Sequence, residues 1–211
     1  MHSRYTSGNM PAVQGLFDYY LKLEGIEVED IQKWLKVKED HTISENRLGN
    51  RILYSQTIPQ NQKDLLFDFA ILRRIIEQNQ SRFYNKNLKR IDIPEVFFEH
   101  FTDLQKLVGV FIDVILPSGI TTFLLKLNRL GRKQIGTYIR PEKLQMGGLI
   151  IIGIKNQQYQ IQVGSLIVIP VTESKVDVTF TSSTVELMSK KILSIQVVGG
   201  QLGLIIDTRI L

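Results

Sequence analysis

G-G-L-I-I-I-G-I-K-N-Q-Q-Y-Q-I-Q-V-G-S-L-I-V-I-P at Gly147–Pro170, followed later by V-V-G-G-Q-L-G-L-I-I-D-T-R at Val197–Arg209, decides how this chain is read. Short apolar runs recur through Gly147–Leu211, at Leu149–Ile154, Tyr159–Val163, Leu166–Ile169, Val176–Phe180, Ile192–Val198 and Leu202–Ile206. Glycines or short polar clusters separate them, the spacing of a compact all-β barrel or sandwich. The stretch has a shape but no chemistry. It holds no histidine and no cysteine, and its acids, Glu173, Asp177, Glu186 and Asp207, are scattered. Ser165 in G-S-L falls between strands, where turn chemistry accounts for it. The pairs Gly147-Gly148 and Gly199-Gly200 adjoin apolar runs, so they read as tight turns or close backbone approaches. A phosphate cradle would need a helix to start after the glycines, and a strand follows Gly200 instead.

Upstream, the apolar period is helical. Val28, Ile31, Trp34 and Leu35 share one face of Val28–Val37, and Leu16, Phe17, Tyr20 and Leu21 mark a helix over Gln14–Glu24 closed by Gly25. Arg47–Gln62, with R-L-G-N-R and Pro59, reads as a loop. Lys63–Gln78 is the strongest helix, with Asn61 as its N-cap and apolar residues nearly all round. Ile91–Phe98 suggests a short strand, and Thr102 to Gln105 is a capping-box pattern opening a helix through Leu104, Leu107, Val108, Phe111, Ile112 and Ile115. P-S-G at Pro117–Gly119 ends that helix and feeds a strand over Ile120–Leu127. The fold class expected is therefore α+β. Residues 1–11 form a loose arm, 12–143 a helix-rich α/β domain and 147–211 an all-β domain, with the border near Arg140–Gly148.

The composition excludes several classes. Among 211 residues, 43% are hydrophobic, as in ordinary globular proteins. The most apolar window, Leu149–Ile154, is far short of the roughly 20 residues a membrane-spanning helix needs, so no membrane partner is expected. The polar Met1–Met10 has no signal-peptide core, which makes the cytoplasm the expected compartment. The absence of cysteine excludes disulfides, thiolate catalysis and Cys-ligated metals. The net charge of +5 is unevenly spread: Arg73–Arg90 and Thr121–Lys143 each carry six basic residues against one acid, while Ile91–Gly119 is acidic by four.

Beyond these patterns, the order of elements, with L-P-S-G-I-T-T-F-L-L-K-L-N-R-L-G at Leu116–Gly131, G-S-L-I-V-I-P at Gly164–Pro170 and G-G-Q-L-G-L-I-I-D-T-R at Gly199–Arg209, resembles the C-terminal half of the glutamate mutase accessory proteins, the MutL proteins of the methylaspartate pathway. The resemblance covers roughly Val28–Arg209. It implies half of a degenerate actin-like ATPase fold with a β domain appended, in the setting of cobalamin-dependent mutase assembly. Two departures set the family's ATPase role aside. The chain has no D-x-G-x-T-x-T to wrap phosphates, and it reads F-F-E-H-F at Phe97–Phe101 where a glycine pair would admit a purine.

Glu95, Glu99, His100 and Asp103 cluster within a short span, but His2 and His41 are distant in sequence, and a metal site would want more support than this. The cluster reads as a solvated acidic turn. No catalytic residue, metal or cofactor is expected. The function expected is that of a non-catalytic assembly or interaction subunit binding a protein partner, either a second copy or a separately encoded lobe of a MutL-like protein. Candidate partner-binding residues are Phe67 and Ile71 on the apolar helix, and Arg82, Lys86, Arg90, Arg129, Arg132 and Lys133 in the basic stretches. The second reading is a nucleic-acid-binding protein using residues 73–90 and 121–143. With no phosphate loop, calorimetric titration with Mg·ATP is expected to give no micromolar binding. A micromolar isotherm would overturn this part of the sequence reading.

Overall fold

The computed structural model describes residues 26–35, 39–54, 58–79, 88–127 and 131–210. The expected arm, the helix Gln14–Glu24 and the candidates Arg82, Lys86 and Arg129 lie outside these residues. The described chain is α+β, and it divides into a helical unit (residues 11–84 and 94–116) and a β-rich unit (85–93 and 117–211, with 1–10). No helix among the described residues is long and apolar enough to cross a membrane.

The helical unit contains α1 (Val28–Gln32), α2 (His41–Leu53), α3 (Gln62–Gln78), α4 (Val96–His100) and α5 (Leu104–Ile115). Helix α3 starts where the sequence predicts, with Asn61 Oδ1 accepting from the backbone N–H groups of Lys63 and Asp64, both at 3.0 Å. It packs against α1 and α5, and the cover its apolar surface demands comes from within the chain. Phe67 is 1% exposed and Ile71 0%. Both are buried in the helical unit, and Phe67 also lines a cavity. The rings of Phe69 and Phe101 lie 4.7 Å apart in the same core.

Helix α2 corrects the loop expected from Arg47. Asp40 caps it, its Oδ1 accepting from Thr42 N–H at 2.9 Å, and Gly49 sits where an added Cβ would meet nothing. One glycine costs a helix only about 1 kcal/mol relative to alanine, which the cap and the buried Leu48 and Ser44 offset. The capping box is also corrected. The N-cap of α5 is Asp103, whose Oδ1 accepts from Lys106 N–H at 2.9 Å, rather than Thr102. Leu116 then takes the left-handed conformation (φ 51°) and stops the helix.

The β-rich unit holds β1 (Arg90–Pro94), β2 (Gly119–Leu127), β3 (Gly131–Arg140), β4 (Leu149–Ile154), β5 (Gln157–Gln162), β6 (Leu166–Ile169), β7 (Val176–Ser182), β8 (Ile192–Val197) and β9 (Gly203–Asp207). They form a five-stranded sheet, β1-β2-β3-β9-β6, and a four-stranded sheet, β5-β4-β7-β8. Neither is a closed barrel. The inner faces share one core in which Ile139, Leu204 and Ile206 of the first sheet meet Ile150, Ile152, Val178 and Phe180 of the second. The border expected near Arg140–Gly148 falls in the β3–β4 connection. The compact units divide the chain elsewhere, at 93/94 and 116/117, because β3 pairs in parallel with β9 (Gly136↔Gly203 to Ile139↔Ile206) and draws β2 and β3 into one sheet with the C-terminal strands.

The closing motif supplies that sheet's fastenings. Gly203 has φ +70° and faces the Ile169 carbonyl so closely that a Cβ would collide with it, so only glycine suits the entry to β9. The hydroxyl of Thr208 is 2.9 Å from the Ser165 carbonyl and accepts from Ser165 N–H at 3.0 Å, tying the chain end to the β5–β6 turn. Asp207, fully buried, receives Tyr138 OH at 3.0 Å, Arg140 Nη1 at 3.4 Å and a bidentate contact from Arg209 (Nε 2.9 Å, Nη2 2.8 Å). Burial pushes its carboxyl up, but hydrogen bonds from the Arg209 side chain and backbone, the Arg209 charge and Tyr138 outweigh this and hold it below the ordinary aspartate value. Burial, and then the Asp207 charge, push the Tyr138 phenol up.

A depressed folded-state pKa stabilises above the unfolded pKa and is lost as pH falls through the folded one. Asp207→Asn is therefore expected to cost about 3 kcal/mol in urea unfolding at pH 7. The gap to the wild type should narrow as pH falls below about 4. A pH-independent gap would contradict the assignment.

Candidate functional site

The polar centre of the helical unit is built on Asp68, a carboxylate with no solvent exposure in the middle of α3. Its Oδ1 accepts from Arg51 Nε of α2 at 2.7 Å, and Oδ2 lies 2.9 Å from His100 Nε2 at the end of α4. A carboxylate only accepts, so Nε2 is the protonated ring nitrogen in this contact. A buried charge is tolerated only when paired and hydrogen-bonded, and here one acid fastens three helices. Sequence reasoning missed this group. The signal was present: Asp68 interrupts L-L-F-D-F-A-I-L at a position that shares the helix face of Leu65, Leu72 and Ile75.

The acidic cluster expected as a solvated turn is taken apart by the fold. His100 is 5% exposed and turned to Asp68, with its ring 4.8 Å from that of Phe101, while Asp103 caps α5. Among the described residues no three His, Asp or Glu side chains come together as a metal site would require.

Beside this polar centre lies a cavity of about 260 Å³ lined by Arg47, Asn50, Arg51, Tyr54, Ile58, Gln60, Asp64 and Phe67. His100 does not line it. Arg47 lies 3.4 Å from Glu39 and 3.6 Å from Asp64, so the rim carries both signs of charge. Two of its lining residues are exposed and apolar or aromatic, Tyr54 (65%) and Ile58, and on the adjoining turn of α2 Leu53 is 73% exposed and Ile52 is exposed as well. This arrangement can seat an apolar side chain within a charged rim.

The basic stretches separate into different environments. Arg73 lies 3.7 Å over the Trp34 ring and within 3.6 Å of Glu77, and Arg74 Nε is 3.0 Å from Asp30 Oδ2, so the described start of residues 73–90 is neutralised in place. Arg90 and Arg132 meet around Asp92 in the β-rich unit, with Lys133 beside them on exposed chain.

No family model, no curated protein and no solved structure matches the chain.

Asp68→Ala would leave Arg51 buried without its carboxylate and is expected to lower stability by about 3–5 kcal/mol in urea unfolding. Asp64→Ala, at the exposed rim, is expected to change it by under about 1 kcal/mol. Equal effects would refute the central role of Asp68.

Proposed function

We propose that this chain is a non-catalytic interaction subunit whose helical unit receives an apolar segment of a partner protein. The observation that carries the reading is the exposed Tyr54 and Ile58 lining a cavity, with Ile52 and Leu53 exposed at the same end of α2. Isolated exposed apolar residues are ordinary, whereas a contiguous group rimmed by charge is the composition of an interface centre and its border. Tyrosine is also among the residue types enriched at energetic centres of interfaces. Fully burying one leucine side chain contributes roughly 1.5–3 kcal/mol, so Leu53 and Tyr54 together supply a usable anchor. Lining charges such as Arg47 would set the orientation of the incoming segment more than its affinity.

The resemblance drawn from the sequence suggests one identity for the partner, a separately encoded lobe of a glutamate mutase accessory protein. An actin-like half-fold for this chain belongs to the same suggestion. Both rest on the quoted motifs alone. A second copy of the chain is the other occupant consistent with the sequence reading.

Leu53→Asp combined with Tyr54→Asp is expected to leave the circular dichroism spectrum and urea midpoint unchanged. It should reduce recovery of the partner from native cells at least tenfold. Ile192→Asp, an equally exposed apolar site in the β-rich unit, should recover the partner normally. Equal recovery by all three proteins would refute the docking site. Light scattering of the wild type alone distinguishes a second copy from a separate protein.

A further inference from the structure

The β2–β3 hairpin of the β-rich unit carries a second feature that its own packing does not explain. Its register sets Lys126 directly opposite Arg132 and Leu125 opposite Lys133, with Leu127 opposite Gly131. Like charges facing each other across an antiparallel pair destabilise it, since their Cβ atoms are only about 4.5–5.5 Å apart. Asp92 on β1 answers part of this. Arg132 Nε donates to its Oδ2 at 3.0 Å, and Arg90 Nε lies 3.1 Å from Oδ1 as an ion pair without hydrogen-bond geometry. Lys126 and Lys133 form no ion pair among the described residues.

The surroundings favour one kind of partner. The start of β3, Gly131–Gln134, is exposed throughout and reads G-R-K-Q, so it offers cations and an amide but no apolar side chain. Lys89 is also exposed at the entry to β1. A protein interface is built around an apolar centre; Leu125 and Leu127 share the face of Lys133, and the face of Lys126, Arg132 and Gln134 offers no such centre at this end. Phosphate oxygens, by contrast, are bound by Arg, Lys and Gln side chains alone. Unpaired bases would be held by stacking on aromatic rings, and the side chains of this end include none. Side chains alternate along a strand, so Lys126, Arg132 and Gln134 share one face, to which Asp92 also brings Arg90, and Lys133 lies on the other.

From these observations we propose that the basic end of β2–β3, with Lys126, Arg132 and Gln134 on one face and Arg90 alongside, binds the phosphate backbone of duplex nucleic acid without reading its sequence. Asp92 positions the Arg90 and Arg132 guanidinium groups and keeps the hairpin folded when nothing is bound. This contact is independent of the apolar site on the helical unit, so the chain would join a protein partner to a duplex.

The test is fluorescence anisotropy of the full chain with a labelled random-sequence DNA duplex and the corresponding RNA duplex, between 50 and 200 mM salt. Three to four phosphate contacts predict that log K falls against log salt with a slope of about −3, and hence that binding weakens by about 50- to 150-fold over that range. Lys126→Gln with Arg132→Gln, both on that face, should lower affinity at least tenfold and flatten the slope by about 2. Lys190→Gln with Lys191→Gln removes the same charge from another exposed part of the unit and should change affinity less than twofold. Binding to both duplexes supports the shared backbone chemistry, and binding to one of them assigns the source. No binding at 50 mM salt would overturn the proposal, as would equal effects of the two double variants. Tighter binding to a single strand, or equal binding to polyglutamate, would also overturn it, in favour of unpaired bases or an acidic protein.

Discussion

The carboxylate of Asp207 holds the β-rich unit together. It sits where β9 ends, takes the phenol of Tyr138 from β3 and the guanidinium of Arg209 two residues on, and lies 3.4 Å from Arg140. Strand β9 is the only link between β3 and β6 in the five-stranded sheet. A parallel pairing between strands distant in sequence has no hairpin to set its register, so side chains must do it. Asp207 and Thr208 do it here, one against β3 and the other against the β5–β6 turn. The shared core then follows, because Leu204 and Ile206 face it only in this register and a slip of one residue would turn them outward.

The helical unit uses the same device in a different setting. Asp68 links α2, α3 and α4 through Arg51 and His100, and the apolar faces of α3 and α5 close around it. Fixing Arg51 from behind also shapes the wall of the neighbouring cavity, while the apolar end of α2 remains uncovered. Buried polar groups of this chain thus act as fasteners, and the surfaces suited to partners lie next to them. Among the described residues, Asp68, His100, Arg51 and Asp207 are spent on assembly of the fold.

Much of the fold was legible because short-range physics dictates it. Runs bounded by glycine at Leu149–Ile154 and Leu166–Ile169 coincide with β4 and β6, and Asn61 starts α3. What was not legible depends on distant contacts. Helix α2 was hidden by Gly49 and the polar R-L-G-N-R, since its cap, Asp40, lies upstream of the stretch that reads as a loop. The parallel pairing of β3 with β9 joins residues more than sixty positions apart, and no local period announces such a pairing. The apolar circumference of α3 was read correctly as needing cover on several sides. Helices α1 and α5 supply cover from within the chain, which the sequence reading assigned to a partner. Of the basic candidates, Arg132 and Lys133 lie together on the same exposed strand. The significance of Arg132 lies in its cross-strand register with Lys126, which composition does not reveal, while Lys133 stands opposite Leu125.

The central claim, that the apolar end of α2 is an interface, is tested most directly by placing a photo-crosslinking residue at Leu53 and irradiating native cells, with the same residue at Ile192 as the reference. The account predicts one dominant adduct from position 53, with the crosslinked peptide of the partner apolar, and none of that adduct from position 192. No adduct at 53, or the same set of adducts from both positions, would contradict it.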